Sequence, residues 1–193
     1  MSGVNLSGVI LYSNNFHHTD LSGVDFTVTD VITDGSVFIE ANLSNSNFEG
    51  VNMAPKTVVK SIHENEAHLN NLSNVDLIEN LFGFDDLTNR LIVSKEVRGN
   101  DLSITYVFIN NFELANLENA NFKNANLVIT NFDSANLTNA DLSGANLSNA
   151  FLGNADLSNA NLEGTNLQDA ILDNAILTGA NLKCINHPIC NSD

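Results

Sequence analysis

The sequence predicts an all-β solenoid, a chain that turns at regular intervals and stacks coil upon coil around an apolar interior. Two observations predict it. From residue 115 to 184 a large apolar residue, position i, recurs at every fifth place; over fourteen units it is Leu twelve times and Phe twice. Position i−2 is Ala twelve times and Thr twice, and position i−1 is Asn or Asp in eleven units. The second observation is what fills the intervals. Positions i+1 and i+2 hold Ser, Asn, Gly, Thr and Asp, residues that accept tight-turn backbone angles.

A helix cannot use this period. Five residues advance an α-helix by a net rotation of about 140°, so the Leu side chains would spiral around every side and no apolar face would form. A strand does better, because i−2 and i point one way and i−1 the other. Five is odd, however, and a straight strand would throw alternate Leu residues to opposite faces. The chain must therefore turn once per unit, at i+1 and i+2. Leu and Ala then point inward throughout, and Asx side chains line the outside.

The unit A-(N/D)-L-x-x, as in Ala140-Asp141-Leu142-Ser143-Gly144, resembles the motif of pentapeptide-repeat proteins. The resemblance is clear over 115–184 and weaker over 4–53. It implies a right-handed quadrilateral β-helix with four pentapeptides per coil. Leu137, Leu142, Leu147, Leu152 and Leu157, with Ala140, Ala145 and Ala150, are then the inward columns.

Following the phase outward divides one solenoid domain, 1–193, into segments. N-terminal coils span 4–53, with centres Leu6, Leu11, Phe16, Leu21, Phe26 and Val31, then Phe38, Leu43, Phe48 and Met53. Two extra residues enter around Thr33-Asp34-Gly35, and Asp-Gly is a turn signal, so a small bulge is expected at that corner. Residues 54–70 break the pattern. Pro55 suits a first helical turn, and Val58, Val59 and Ile62 have helical spacing, so a short helix or ordered loop is expected there. From Leu72 to Leu182 every fifth residue is apolar, which predicts degenerate coils over 71–114 leading into regular coils over 115–184. Asp85, Arg90 and Lys95 fall at i−2 in this stretch, where charge would face a dry interior; distorted coils are expected in preference to an excursion at 85–99. A cap or tail occupies 185–193. About nine coils at ~4.8 Å would make a shaft of about 45 Å.

Charge and composition exclude several functions. The net charge is −16, and the first 53 residues contain neither Lys nor Arg, so no direct contact with a phosphate backbone is expected. No apolar run approaches the ~18 residues of a membrane span. The repeat begins at Val4-Asn5-Leu6 with no signal peptide ahead of it, which predicts a cytoplasmic protein. His63-Glu64-Asn65-Glu66-Ala67-His68 spaces its histidines five apart, whereas a zinc-binding H-E-x-x-H helix needs four. His17 and His18 fall at i+1 and i+2 and are expected as solvated corner residues. Columns filled by Leu, Phe and Ala leave no concave pocket for a substrate. The expectation is a protein without catalytic residues, cofactor or metal.

Cys184 and Cys190 lie in the cap, where His187 takes the next i position and Pro188 ends the strand. Three states stay open: free thiols, a disulfide closing a small loop, or a C-x2-H-x2-C metal site short of a fourth ligand. Reduction in a cytoplasm argues against the disulfide.

The exceptions at i−1 mark the surface. Phe151, Ile171 and Ile176 should face outward where Asn or Asp is the rule, and they are the candidate interface for an unidentified protein partner or a homodimer. Val128 and Ile129 add apolar surface on the opposite flank. The family resemblance implies two functions: an interaction scaffold, or a DNA mimic that binds DNA gyrase and confers quinolone resistance. On the side with centres 132, 152 and 172 the outer acids are Asp133 and Asp173 with Gly153 between, and Glu118, Asp141, Asp156, Glu163 and Asp169 fall on other columns. No continuous acidic stripe results, so the scaffold is the leading expectation.

Overall fold

In a computed structural model of the chain, each pentapeptide forms one side and one corner of a coil. The structure describes residues 11–12, 14–27, 32–62, 90–98 and 101–190. The unit around Leu137 illustrates the bonding. Its amide donates to the Asp156 carbonyl of the next coil (2.7 Å), and its own carbonyl accepts from Ala140 across the corner (3.0 Å). Asn136 donates to Ala115 of the preceding coil and Asn139 to Ser158 of the next, both at 2.9 Å. Sides this short pair through single parallel bridges, with Asn116, Asn136, Asp156 and Ile176 in one column. Stacked partners such as Asn136 and Asn116 stand 20 residues apart, so four units complete a coil.

Side 1 carries centres Phe112, Phe132, Leu152 and Leu172, and sides 2, 3 and 4 follow at five-residue steps. At each corner the i+2 residue is left-handed, as in Asn139 (φ 58°) and Gly144 (φ 67°). Asn tolerates this region and Gly has no steric penalty in it. At Gly144 a Cβ would also sit 2.5 Å from Asn124 Oδ1, so a larger residue there would require the Asn124 side chain to move.

The interior is filled mainly by apolar side chains. Leu137, Leu142, Leu147, Leu152, Leu157, Ala140, Ala145 and Ala150 are all buried in one core cluster. Towards the N-terminus the centres of sides 1 and 3 are phenylalanines that stack from coil to coil. Phe16, Phe38, Phe112 and Phe132 follow one another on side 1 at 4.7–5.1 Å between ring centroids. Phe26, Phe48 and Phe122 do so on side 3 at 4.3–4.7 Å. The two ladders meet edge to face in the middle, as Phe112 does Phe122 at 6.1 Å.

Outside, an i−1 Asn such as Asn136 does two jobs. Asn136 Oδ1 accepts the Thr138 amide of its own corner (3.1 Å), and its Nδ2 donates to Asn116 Oδ1 of the coil before (3.1 Å). Asp cannot donate, so in a ladder it only accepts: Asn42 donates to Asp20, Asn47 to Asp25 and Asn161 to Asp141.

The segment between Met53 and Phe112 departs from expectation. Asn42 stacks on Asn116, and this pair is 74 residues apart instead of 20, so 54 residues are inserted at the corner between side 4 and side 1. Where they are described, they do not continue the shaft. Strand β3 (Lys56–Ile62) pairs antiparallel with β5 (Asp101–Phe108), which also pairs with β4 (Arg90–Arg98), in the order β3-β5-β4. The helix or loop expected over 54–70 is thus a strand where it is described, as the β-branched Thr57, Val58, Val59 and Ile62 favour. The degenerate coils expected over 71–114 are likewise corrected over 90–108, and Arg90 and Lys95 lie in β4 and not in an inward column. Lys56 pairs with Phe108, which closes the neck of the insertion and returns the chain to the corner it left. Among the described residues six coils stack instead of nine, a shaft of about 30 Å at ~4.8 Å per coil.

A smaller insertion occupies the same corner one coil earlier. β1 (Leu11–Tyr12) pairs parallel with β2 (Ile32–Asp34) through a register shift, Asn15 bridges Val37, and Gly35 turns at φ 69°. This is the bulge that Asp34-Gly35 signals.

Interrupting a corner strands backbone groups that the regular coil would pair. Asn110, at the i−2 place that Ala usually fills, deals with them. Its Oδ1 accepts from the Ser36 amide and its Nδ2 donates to the Met53 carbonyl, both at 3.1 Å, and it is buried. Asn110→Ala is expected to cost about 1–3 kcal/mol, because both groups would stay buried without a partner. Urea unfolding measures it; an unchanged midpoint would mean the clamp carries no weight.

Candidate functional site

The outer surface of side 1 changes character along the shaft. Its i−1 column runs Asn15, Val37, Asn111, Asn131, Phe151 and Ile171. Val37 and Asn111 are buried, as are Ile39 beside them and Ile104, Val107 and Ile109 at the returning end of the insertion. Side 1 is therefore covered where the insertion leaves and re-enters. Farther on it opens: Asn131 donates to Asn111 (3.0 Å), and the ladder then stops at Phe151. Phe151 bridges Ile171 in the next coil, so the two stack on one side. Phe151 is partly buried, whereas Ile171 is 46% exposed and Ile176, around the corner on side 2, is 48% exposed. Val128 and Ile129 flank side 1 at its other corner and are half-buried. Leu114, at the corner towards side 2, is 50% exposed; its place at i+2, where polar residues dominate, is a signal that the reading of i−1 exceptions missed.

The apolar strip runs into the C-terminal end of the shaft. Leu172, Leu177 and Leu182 are only half-buried, because no coil lies beyond them, and Ile189 and Cys190 pack against that open floor. The cap is one residue short of the regular register: Asn166 bridges Ile185, and Asn186 Nδ2 donates to Asn166 Oδ1 (2.9 Å). His187 therefore does not occupy the i position expected of it. Its Nδ1 accepts the Ile189 amide (3.3 Å). Cys184 takes the inward place before the last side and is joined to Cys190 in a disulfide that closes the cap.

Several carboxylates on the shaft are engaged by the backbone and by hydroxyls around them. The Ser158 hydroxyl and amide hold the Asp156 carboxyl below its usual range, and Ser22 does the same for Asp20. Asp133 Oδ1 accepts from the Gly153 amide of the next coil (2.8 Å). His17 and His18 lie exposed at one corner beside Glu40. His63 and His68 fall outside the described residues. No helix among the described residues is long and apolar enough to cross a membrane.

Four-residue corners, two inward columns per side and an Asx ladder outside define a repeat protein of the β-solenoid class. The pattern described as "Pentapeptide repeats" matches in eight copies over residues 1–27, 32–53, 115–154 and 150–183, more than half of the chain. The chain belongs to the pentapeptide-repeat family, whose right-handed quadrilateral β-helix it adopts. The unmatched stretch 54–114 holds the insertion.

Among solved structures, the chain is similar to a pentapeptide repeat protein of the Arabidopsis thaliana thylakoid lumen: 38% identity over 37% of this chain, spanning half the length of that one, with a TM-score of 0.37. It is similar to HetL, involved in heterocyst differentiation regulation in the cyanobacterium Nostoc sp. PCC 7120, at 23% identity over 96% of this chain and 86% of that one, TM-score 0.29. It is also similar to QnrB1, a plasmid-mediated fluoroquinolone resistance protein, at 16% identity over 96% and 79% of the two chains, TM-score 0.35. No curated protein matches the chain in sequence.

Proposed function

We propose that the protein is a non-enzymatic scaffold whose C-terminal coils associate with a second copy through side 1 and the open end beside it. The observation that carries this reading is the break in the Asx ladder, where Phe151 stacks on the exposed Ile171. Ile176 and the half-buried Leu172, Leu177 and Leu182 extend the same apolar surface. Burying such side chains contributes at ~25 cal/mol per Å² of apolar area, a few kcal/mol for a patch of this kind. An isologous contact repeats that gain on both copies.

Sedimentation velocity tests it. Wild type is expected to run as a dimer and Phe151→Asn/Ile171→Asn as a monomer. The substitutions restore the common i−1 residue, and an Asn at 151 extends the ladder from Asn131, so folding is retained. Two monomers, or two identical oligomers, would remove the reading.

A second reading, a DNA-shaped competitor for DNA gyrase, draws support from the insertion beside the shaft. The scatter of the shaft's acids over different columns opposes it. Unaltered gyrase supercoiling in the presence of excess protein belongs with the scaffold.

A further inference from the structure

We infer that His17, His18 and Glu40 form a binding site for a divalent first-row metal ion of the zinc type, on the corner between sides 1 and 2. His17 and His18 are the two corner residues after Phe16, and Glu40 is the second corner residue after Phe38, one coil on. The two-residue bulge before Gly35 sets the distance along the chain, and so decides that His18 meets Glu40 and not Phe38.

The backbone at this corner is fixed on both coils. The Phe16 amide donates to Val37 (2.7 Å), His18 to Ile39 (3.1 Å) and Glu40 to Glu113 (3.0 Å). The side chains stand free above it: those of His18 and Glu40 are 61% and 44% exposed. His18 Nδ1 lies 2.8 Å from Glu40 Oε2, and the His17 and His18 rings sit edge to face with centroids 3.9 Å apart. One ligand atom from each of the three residues lies within 4.8 Å of the others. Zinc bonds of ~2.0–2.1 Å to imidazole and carboxylate require modest rotamer changes to close on an ion from there. Two imidazoles with one carboxylate select zinc, nickel or copper over calcium and magnesium, which prefer all-oxygen sets.

Three protein ligands leave a fourth position for water. The ligands come from two successive coils, so the ion acts as a link. It ties the coil of Phe16 to the coil of Phe38. Phe16, the centre of that first coil, is itself only partly buried. Sequence spacing alone does not assemble the site, because its third ligand arrives from the next coil.

Calorimetric titration of untagged full-length protein with zinc chloride tests the inference, with the visible absorption of bound cobalt as a second readout. One equivalent is expected to bind and to raise the melting temperature. His17→Ala/His18→Ala should abolish both effects while leaving the circular dichroism of the metal-free protein unchanged. Glu40→Gln should weaken binding by about tenfold or more, the range for losing a carboxylate that ligates or orients histidine. Cys184→Ser/Cys190→Ser and His63→Ala/His68→Ala should bind as wild type does. Absence of zinc binding by wild type, undiminished binding by His17→Ala/His18→Ala, or loss of binding in His63→Ala/His68→Ala would overturn it.

Discussion

Replacing Phe112 by alanine is expected to destabilise the protein by about 3–5 kcal/mol in urea titration, the range for emptying an aromatic site in a core that cannot collapse. Phe112 is fully buried and has rings on every side: Phe38 and Phe132 stacked at 4.7 and 5.1 Å, Phe48 and Phe122 edge-on at 5.9 and 6.1 Å. The coils above and below are hydrogen-bonded to its own coil along each side, so they cannot close over the void. Phe112→Leu is expected to cost less, since Leu152 and Leu172 hold the same column farther on. Equal losses for Ala and Leu would mean that the ring stacking, and not volume, dominates.

Leu147→Ala is expected to cost about 2–5 kcal/mol and Ser148→Ala less than about 0.5 kcal/mol. Leu147 is a fully buried centre on side 4. Ser148, one residue on, is at the corner, where its Oγ donates to Asn146 Oδ1 (2.9 Å) and its amide donates to the same oxygen (3.3 Å). Removing the hydroxyl leaves that acceptor satisfied. Similar losses at the two positions would contradict the inward assignment of Leu.

The periodic part of the molecule was legible because each unit repeats the same decision about inside, outside and turn. Thr33-Asp34-Gly35 was legible because a turn residue stood where the phase slipped. The insertion was not, and the reason is arithmetic. Alternating strands such as Asp101-Leu102-Ser103-Ile104-Thr105-Tyr106-Val107 supply an apolar residue at many spacings, and Leu102, Val107 and Phe112 keep a five-residue phase without sharing a shaft. Arg90 and Lys95 at inward positions were the sounder signal, because burying charge costs more than one apolar match gains. Asn110, in place of Ala, marked the point of return. The corner of His17 and His18 was foreseen as solvated, but Glu40 was not placed beside it, since that depends on which coil takes the extra residues.

Between the second and third coils, stacked partners are separated by 74 residues of chain instead of 20. Closing a longer loop is entropically dearer by (3/2)RT times the logarithm of the ratio, about 1 kcal/mol here. The seam is crossed by two stacked aromatic pairs, Phe38 on Phe112 and Phe48 on Phe122, each at 4.7 Å. Such pairs contribute about 0.5–1.5 kcal/mol each beyond their buried area, enough to offset the longer closure. From Leu142 onward, where one short corner joins each side to the next, every centre to Leu182 is leucine. The rings gather where chain entropy most opposes stacking, and they let a discontinuous chain form a continuous shaft.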